Sequence, residues 1–172
     1  MNAWSRTRAG CITDTIMENI SKATANNICF YMAINKINKD CVRDVCLTAR
    51  DTKNVRAVSF NFHTPYPDTK ELSLSRDEKA RCCNTIVQMM KEGAPVFNLK
   101  SAFPYIIENS FPTPCHQCVV IENGKLSTCG RCIEVPGLCD QCGYFFVAEY
   151  TLLFQGNLRI VIEMLRTYLK YI

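Results

Sequence analysis

Hydrophobic positions along the chain switch repeatedly between a helical period and short continuous runs. Isoleucine at 12, 16 and 20 recurs every fourth residue and predicts a helix, with Thr15 and Glu18 at capping-box spacing and Asn26-Asn27 as its end. A nearly unbroken apolar run follows at Ile28–Ile34 (ICFYMAI), the length expected of a strand covered on both faces. Val42, Val45, Cys46 and Ala49 stand at i, i+3, i+4 and i+7 and predict a second helix, with Asn38 or Asp40 available as its cap. A second apolar run, Val55–Phe62 (VRAVSFNF), reads as another buried strand. Ser75 and Glu78 form a further capping box, and Cys83, Ile86, Val87 and Met90 predict the buried stripe of a third helix that stops at Gly93. A short strand at 95–98 and a short helix at about 101–109 complete this part.

Alternation of this kind predicts an α/β fold with parallel strands joined by right-handed crossovers. Three such strands make an incomplete layer, because a parallel sheet is normally covered on both faces and the first strand would leave an unpaired edge. The expectation is that an upstream part is missing or is supplied by another chain. The connection at 63–74 is the long one, held extended by Pro65 and Pro67, and ligands in parallel α/β folds bind outside the carboxyl ends of the strands. Asn61 and His63 at the end of the second strand, and Asn35 just past the first, are therefore candidate site residues. A histidine beside prolines also serves to structure its loop.

Beyond Ser110 the character changes to Pro, Cys and Gly, and Asn123-Gly124 between VVIE and KLST is a strong hairpin signal. From Tyr144 a helical stretch runs onward with a break expected at Gly156. Leu158, Val161, Ile162, Leu165, Leu169 and Ile172 form an amphipathic stripe, read as packing on the sheet or on a partner. Membrane association is the weaker reading, since the opposite face carries acidic as well as basic residues. The organisation expected is thus a βα region at 1–110, a cysteine-rich metal-binding segment at 111–143 and a C-terminal amphipathic helix at 144–172.

Composition adds two facts. The 172 residues hold 20 basic against 16 acidic side chains, a net charge of +4 without long runs of either sign, too weak a basis for nucleic-acid binding. No secretory leader and no apolar stretch of membrane-spanning length is legible, so the location expected is cytoplasmic, away from a membrane. The 12 cysteines are the second fact. Six are scattered (Cys11, Cys29, Cys41, Cys46, Cys82, Cys83), mostly where a small apolar residue would serve. The other six form three Cys-x-x-Cys pairs: Cys115 and Cys118, Cys129 and Cys132, Cys139 and Cys142. Such a turn aims two thiolates at one ion while backbone amides donate to the sulfurs, so three pairs this close predict a metal. Spacing leaves zinc and an iron-sulfur cluster both open, and either, needing four thiolates, leaves one pair over. His116, inside the first pair, could ligate, but a solvated histidine is the stronger reading. None of the pairs opens a helix directly after a strand, the placement that thiol-disulfide chemistry prefers.

The segments FYMAINKIN, VSFNFHTPYPDTKELSLS, FNLKSAFPYI and PCHQCVVIENGKLSTCGRCIEVPGLCDQCGY resemble, over about residues 11–150, the C-terminal half of radical SAM proteins with a SPASM-like cysteine-rich extension. The resemblance implies a partial barrel of about three parallel βα units, with Asn35, Asn61 and His63 facing S-adenosylmethionine or substrate. It implies that Cys115, Cys118, Cys129, Cys132, Cys139 and Cys142 hold an auxiliary 4Fe-4S cluster or a structural metal. The family cleaves S-adenosylmethionine reductively at a cluster on a Cys-x3-Cys-x2-Cys motif, and no such triplet is present here. The chain alone is therefore not expected to perform that chemistry; an N-terminal half would complete it, or the strand edge would self-associate. Asp68 also stands where the family pattern has glycine. The alternative reading is a non-catalytic zinc-ribbon protein acting as a binding module.

Overall fold

The computed structural model describes residues 10–24, 27–113, 119–122, 124–128 and 135–171. It is a mixed α/β fold whose elements run α1 (Gly10–Lys22), β1 (Ile28–Ile34), α2 (Val42–Asp51), β2 (Val55–Phe62), α3 (Arg76–Lys91), α4 (Phe103–Glu108), β3 (Val119–Glu122), β4 (Lys125–Thr128), α5 (Phe145–Phe154) and α6 (Leu158–Tyr171). β1 and β2 pair in parallel with Cys29 opposite Ala57, Tyr31 opposite Ser59 and Ala33 opposite Asn61. β3 and β4 form the antiparallel hairpin expected around Gly124, which takes the left-handed φ of 73° that the turn needs.

Strand alternation divides the parallel pair into two faces. Met32, Ile34, Val58, Phe60 and Phe62 lie on one face and are all buried, with α2 and α3 supplying Val42, Val45, Cys46, Ala49, Ile86 and Met89 to the same core. On the other face Asn61 is tied to the start of α5, whose Phe145, Ala148 and Leu152 join that core. Cys29, Tyr31 and Ala33 share this second face and are exposed. The reading of β1 as covered on both faces is thus corrected: it is the edge strand, and among the described residues nothing lies over half of it.

The outer edge of β2 is sealed by three different partners in succession. The Val58 N–H donates to the Pro95 carbonyl at 2.8 Å and the Phe97 N–H returns to Val58. The Phe60 N–H then donates to the Asn98 side-chain oxygen at 2.7 Å, while the Asn98 amide nitrogen donates back to the Phe60 carbonyl. Last, the Phe62 N–H donates to the Gly143 carbonyl at 2.8 Å. The expected third strand at 95–98 is therefore a single parallel bridge, Val58 to Val96, because a side chain and then a distant backbone take over where its ladder would continue.

Helix starts differ from the sequence signals in an informative way. Ser75 does cap α3 in a complete capping box with Glu78, whose carboxyl is pulled down to about 2 by the Lys39 ammonium and by the Ser75 backbone N–H. Thr15 lies inside α1, which begins at Gly10, and so does not stand at its N-terminal cap; of its expected stripe Ile20 is buried but Ile16 is half exposed. Neither Asn38 nor Asp40 caps α2. The Asn38 side chain instead accepts from the Asn35 N–H at 2.7 Å and donates to the Ala33 carbonyl, closing the turn after β1.

The chain breaks at Gly156 (φ 74°), and α5 and α6 meet at 118°. No single helix among the described residues is long and apolar enough to cross a membrane. On α6 the residues of the expected stripe, Leu158, Ile162, Leu165 and Leu169, are exposed and do not pack on the sheet, which leaves the reading of a partner face; the helix is anchored by the fully buried Ile160 and by Tyr168 against the Phe97 ring.

Candidate functional site at the carboxyl end of the second strand

Three segments distant in sequence meet where β2 ends. The backbone of residues 142–145 crosses the strand end: the Gly143 N–H donates to the Thr64 hydroxyl at 3.1 Å and its carbonyl accepts from Phe62. The Phe145 N–H, an orphan of the first turn of α5, donates to Asn61 Oδ1 at 2.7 Å. From α3, the half-buried Lys79 ammonium donates to Asn109 Oδ1 at 2.7 Å and lies 5.8 Å from the Phe62 ring. Asn109, in the left-handed conformation that ends α4, passes the link on by donating from Nδ2 to the Cys142 carbonyl at 3.1 Å. Burial pulls the Lys79 ammonium below its ordinary value, and the nearby Cys83 and Cys142 thiols act against that pull.

The three polar residues expected at this end have distinct environments. Asn61 is buried, and because Oδ1 is committed to Phe145 the amide orientation is fixed; Nδ2 is then a buried donor with no partner among the described residues. Leaving such a donor unmet costs about 1–3 kcal/mol, which makes Asn61 the strongest candidate for meeting a ligand. His63 instead structures its own loop, with Nε2 3.0 Å from Thr69 Oγ1 and 3.1 Å from the Thr69 carbonyl. Asn35 is also absorbed locally: Oδ1 accepts from the Ile37 and Asn38 N–H groups. The His63 N–H donates to the Ile34 carbonyl, so the ends of β1 and β2 are joined there.

Of the six metal-ligand candidates, Cys115, Cys118, Cys129 and Cys132 lie outside the described residues. Cys139 and Cys142 stand at the two ends of one tight 3-10 turn, with the Cys142 N–H donating to the Cys139 carbonyl at 3.2 Å, and both are half-buried. Two thiols on one turn suit half of a tetrathiolate site. No group of three or more ligating side chains occurs among the described residues. The scattered cysteines are of another kind. Cys41, Cys46, Cys82 and Cys83 are buried, and burial pushes the Cys46 thiol up to about 12 and that of Cys82 to about 11.

A second buried polar group lies beside this end and was not anticipated. Glu149 of α5 accepts from the Leu99 N–H at 2.9 Å and from Asn98 Nδ2 at 3.3 Å. Burial, with the Glu163 charge adding to it, raises its carboxyl to about 7 against those two hydrogen bonds. One carboxylate within the apolar run FFVAEYTLLF was the available signal. Lys79 left one as well, since it stands at i−4 and i−7 from the core residues Cys83 and Ile86.

No family model matches the chain, and no curated protein and no solved structure is significantly similar to it.

Proposed function

We propose that this chain is the C-terminal portion of a radical SAM iron-sulfur protein, contributing part of a barrel wall and carrying an auxiliary cluster on its cysteine-rich segment. The observation that carries the reading is the docking of Cys142-Gly143 on Phe62 and Thr64, which brings the last Cys-x-x-Cys turn to the carboxyl end of β2. That is the end at which parallel βα folds bind their ligands. Two further features support it. β1, β2 and the bridge at Val96 are neighbours in chain order and parallel, as successive units of a barrel are. The sealed edge is the downstream one, so the free edge of β1 is where preceding strands would join, and Tyr31 on its open face is 60% exposed.

In this reading Cys139 and Cys142 supply two thiolates and one of the pairs Cys115/Cys118 and Cys129/Cys132 supplies the other two, which leaves one pair over. The cluster, when bound, contributes electron transfer beside the substrate. Lys79 and Asn109 hold the Cys142 backbone in place, and Asn61 Nδ2 offers a donor to the ligand. An N-terminal half bearing Cys-x3-Cys-x2-Cys provides the S-adenosylmethionine site; the chain alone does not cleave it.

The test is iron, acid-labile sulfide and zinc analysis with an absorption spectrum on protein purified without oxygen. About four irons and four sulfides per chain and a brown band support the reading, and the band should vanish in Cys139→Ser/Cys142→Ser. One zinc and no colour would overturn the auxiliary cluster and leave a zinc-clipped binding module.

A further inference from the structure

On the side of the molecule built by α3, α6 and the residues between them lies a cleft of about 630 Å³, a size typical of small-molecule sites. Its floor is aliphatic: Val87, Met90, Ala94, Val96 and Ile162. Val87 and Met90 stand next to the core residues Ile86 and Met89 on α3, yet both are only half-buried because they turn to this cleft. Around the floor stand Lys91 from α3, Lys100 from the turn after Val96, and Arg159, Arg166 and Lys170 from α6. Five cations from three segments thus converge on one concavity.

Among the described residues, basic side chains outnumber carboxylates in this lining by five to one. Among the described residues the one carboxylate in the lining is Glu163, which accepts from the Lys100 and Ser101 N–H groups at 3.0 and 2.9 Å. Lys91, Lys100, Arg159 and Arg166 form no ion pair among the described residues. Like charges gathered around an apolar floor repel one another, and an anion seated among them relieves that repulsion. Guanidinium groups favour phosphate, which they meet with paired N–H donors, and the Ser101 and Thr167 hydroxyls add further donors to the lining. Among the described residues no aromatic ring lines the cleft, so the floor suits an alkyl body and not a stacked base. We propose that this cleft binds a small organic phosphate with an aliphatic body, the phosphate among Lys91, Lys100, Arg159 and Arg166 and the body on Met90 and Ile162.

Octyl phosphate, below its micellar concentration, is the probe, titrated into the full chain by calorimetry beside inorganic phosphate and octyl glucoside. Saturable one-to-one binding at least about tenfold tighter than either control is expected: burying roughly two methylenes supplies that factor over inorganic phosphate, and charge-assisted hydrogen bonds to the phosphate supply it over octyl glucoside. Arg159→Gln/Arg166→Gln, at two exposed positions, should weaken it by at least about tenfold. Met90→Asp, a second variant on the half-buried floor, should do the same. Equal affinity for inorganic phosphate or octyl glucoside, or unchanged binding in both variants, would overturn the proposal. Co-sedimentation with phosphatidylglycerol vesicles without binding of monomeric octyl phosphate would also overturn it, as the surface would then read a membrane.

Discussion

A methyl group built on Gly143 would fall 2.0 Å from the carbonyl oxygen of Phe62. The obstacle is backbone at the end of a buried strand, not the tip of a side chain that could swing aside. Gly143→Ala should therefore push residues 142–145 off β2, breaking the hydrogen bonds to Phe62 and Thr64 together. A loss of about 3 kcal/mol in chemical denaturation is expected. A variant as stable as the parent would mean that the crossing is not held against the strand.

Asn61 separates a packing role from a ligand role. Asn61→Ala strips the Phe145 N–H of its acceptor in a buried place and should cost about 2 kcal/mol by urea denaturation. Asn61→Asp keeps an acceptor at Oδ1 but removes the unmet donor at Nδ2. If that donor serves a ligand, the aspartate variant loses ligand-induced protection of residues 142–145 in hydrogen exchange, and full protection would remove the role.

Glu149 makes stability depend on pH in the less common direction. Its carboxyl rises from 4.5 to about 7 on folding, so between those values the native state holds a proton that the unfolded chain releases. Stability is then highest below about pH 4.5 for this group and falls as pH rises toward 7, by about 3 kcal/mol in all. Glu149→Gln keeps an oxygen for Leu99 and Asn98 and should flatten that slope, leaving the variant the more stable protein at pH 8. Denaturation midpoints measured across pH 5 to 8 check this, and an unchanged slope would place the titration elsewhere.

His63 is expected to matter to its loop and not to any metal. His63→Ala releases Thr69 and should speed proteolytic cleavage within residues 64–72 several-fold while metal content stays the same. A drop in iron or zinc in that variant would assign His63 a place at the metal instead.

What the sequence made legible was local. The Ser75–Glu78 box, the turn at Gly124, the break at Gly156 and the stripe Val42, Val45, Cys46 and Ala49 each fit within one or two turns of chain, and each is present. The parallel pairing of two apolar runs followed from the helix between them. The misreadings come from contacts that leave no period. Nothing near Asn98 marks it as a side-chain substitute for a strand, and nothing in CGYF states that Gly143 ends up against Phe62. Hydrophobic stripes also cannot tell the core from a cleft: Val87 and Met90 satisfy the same pattern as Ile86 and Met89, and on α6 the longest stripe is the exposed one. At the candidate site, Asn61 was legible because strand ends point at ligands, whereas His63 and Asn35 proved to be occupied with their own turns.

The closure at the end of β2 also sets an order of events. Its hydrogen bonds join residues 79 and 84 positions apart, Thr64 with Gly143 and Asn61 with Phe145. At the usual pace of about 5–20 residues per second, a ribosome delivers the second strand roughly 4–16 s before it delivers the residues that finish it. For that interval the nascent chain carries a strand end with bare amide groups beside a free edge. A chaperone or a neighbouring polypeptide meets the protein first in this form, and the speed of translation from the end of β2 to Phe145 decides how long it stays so.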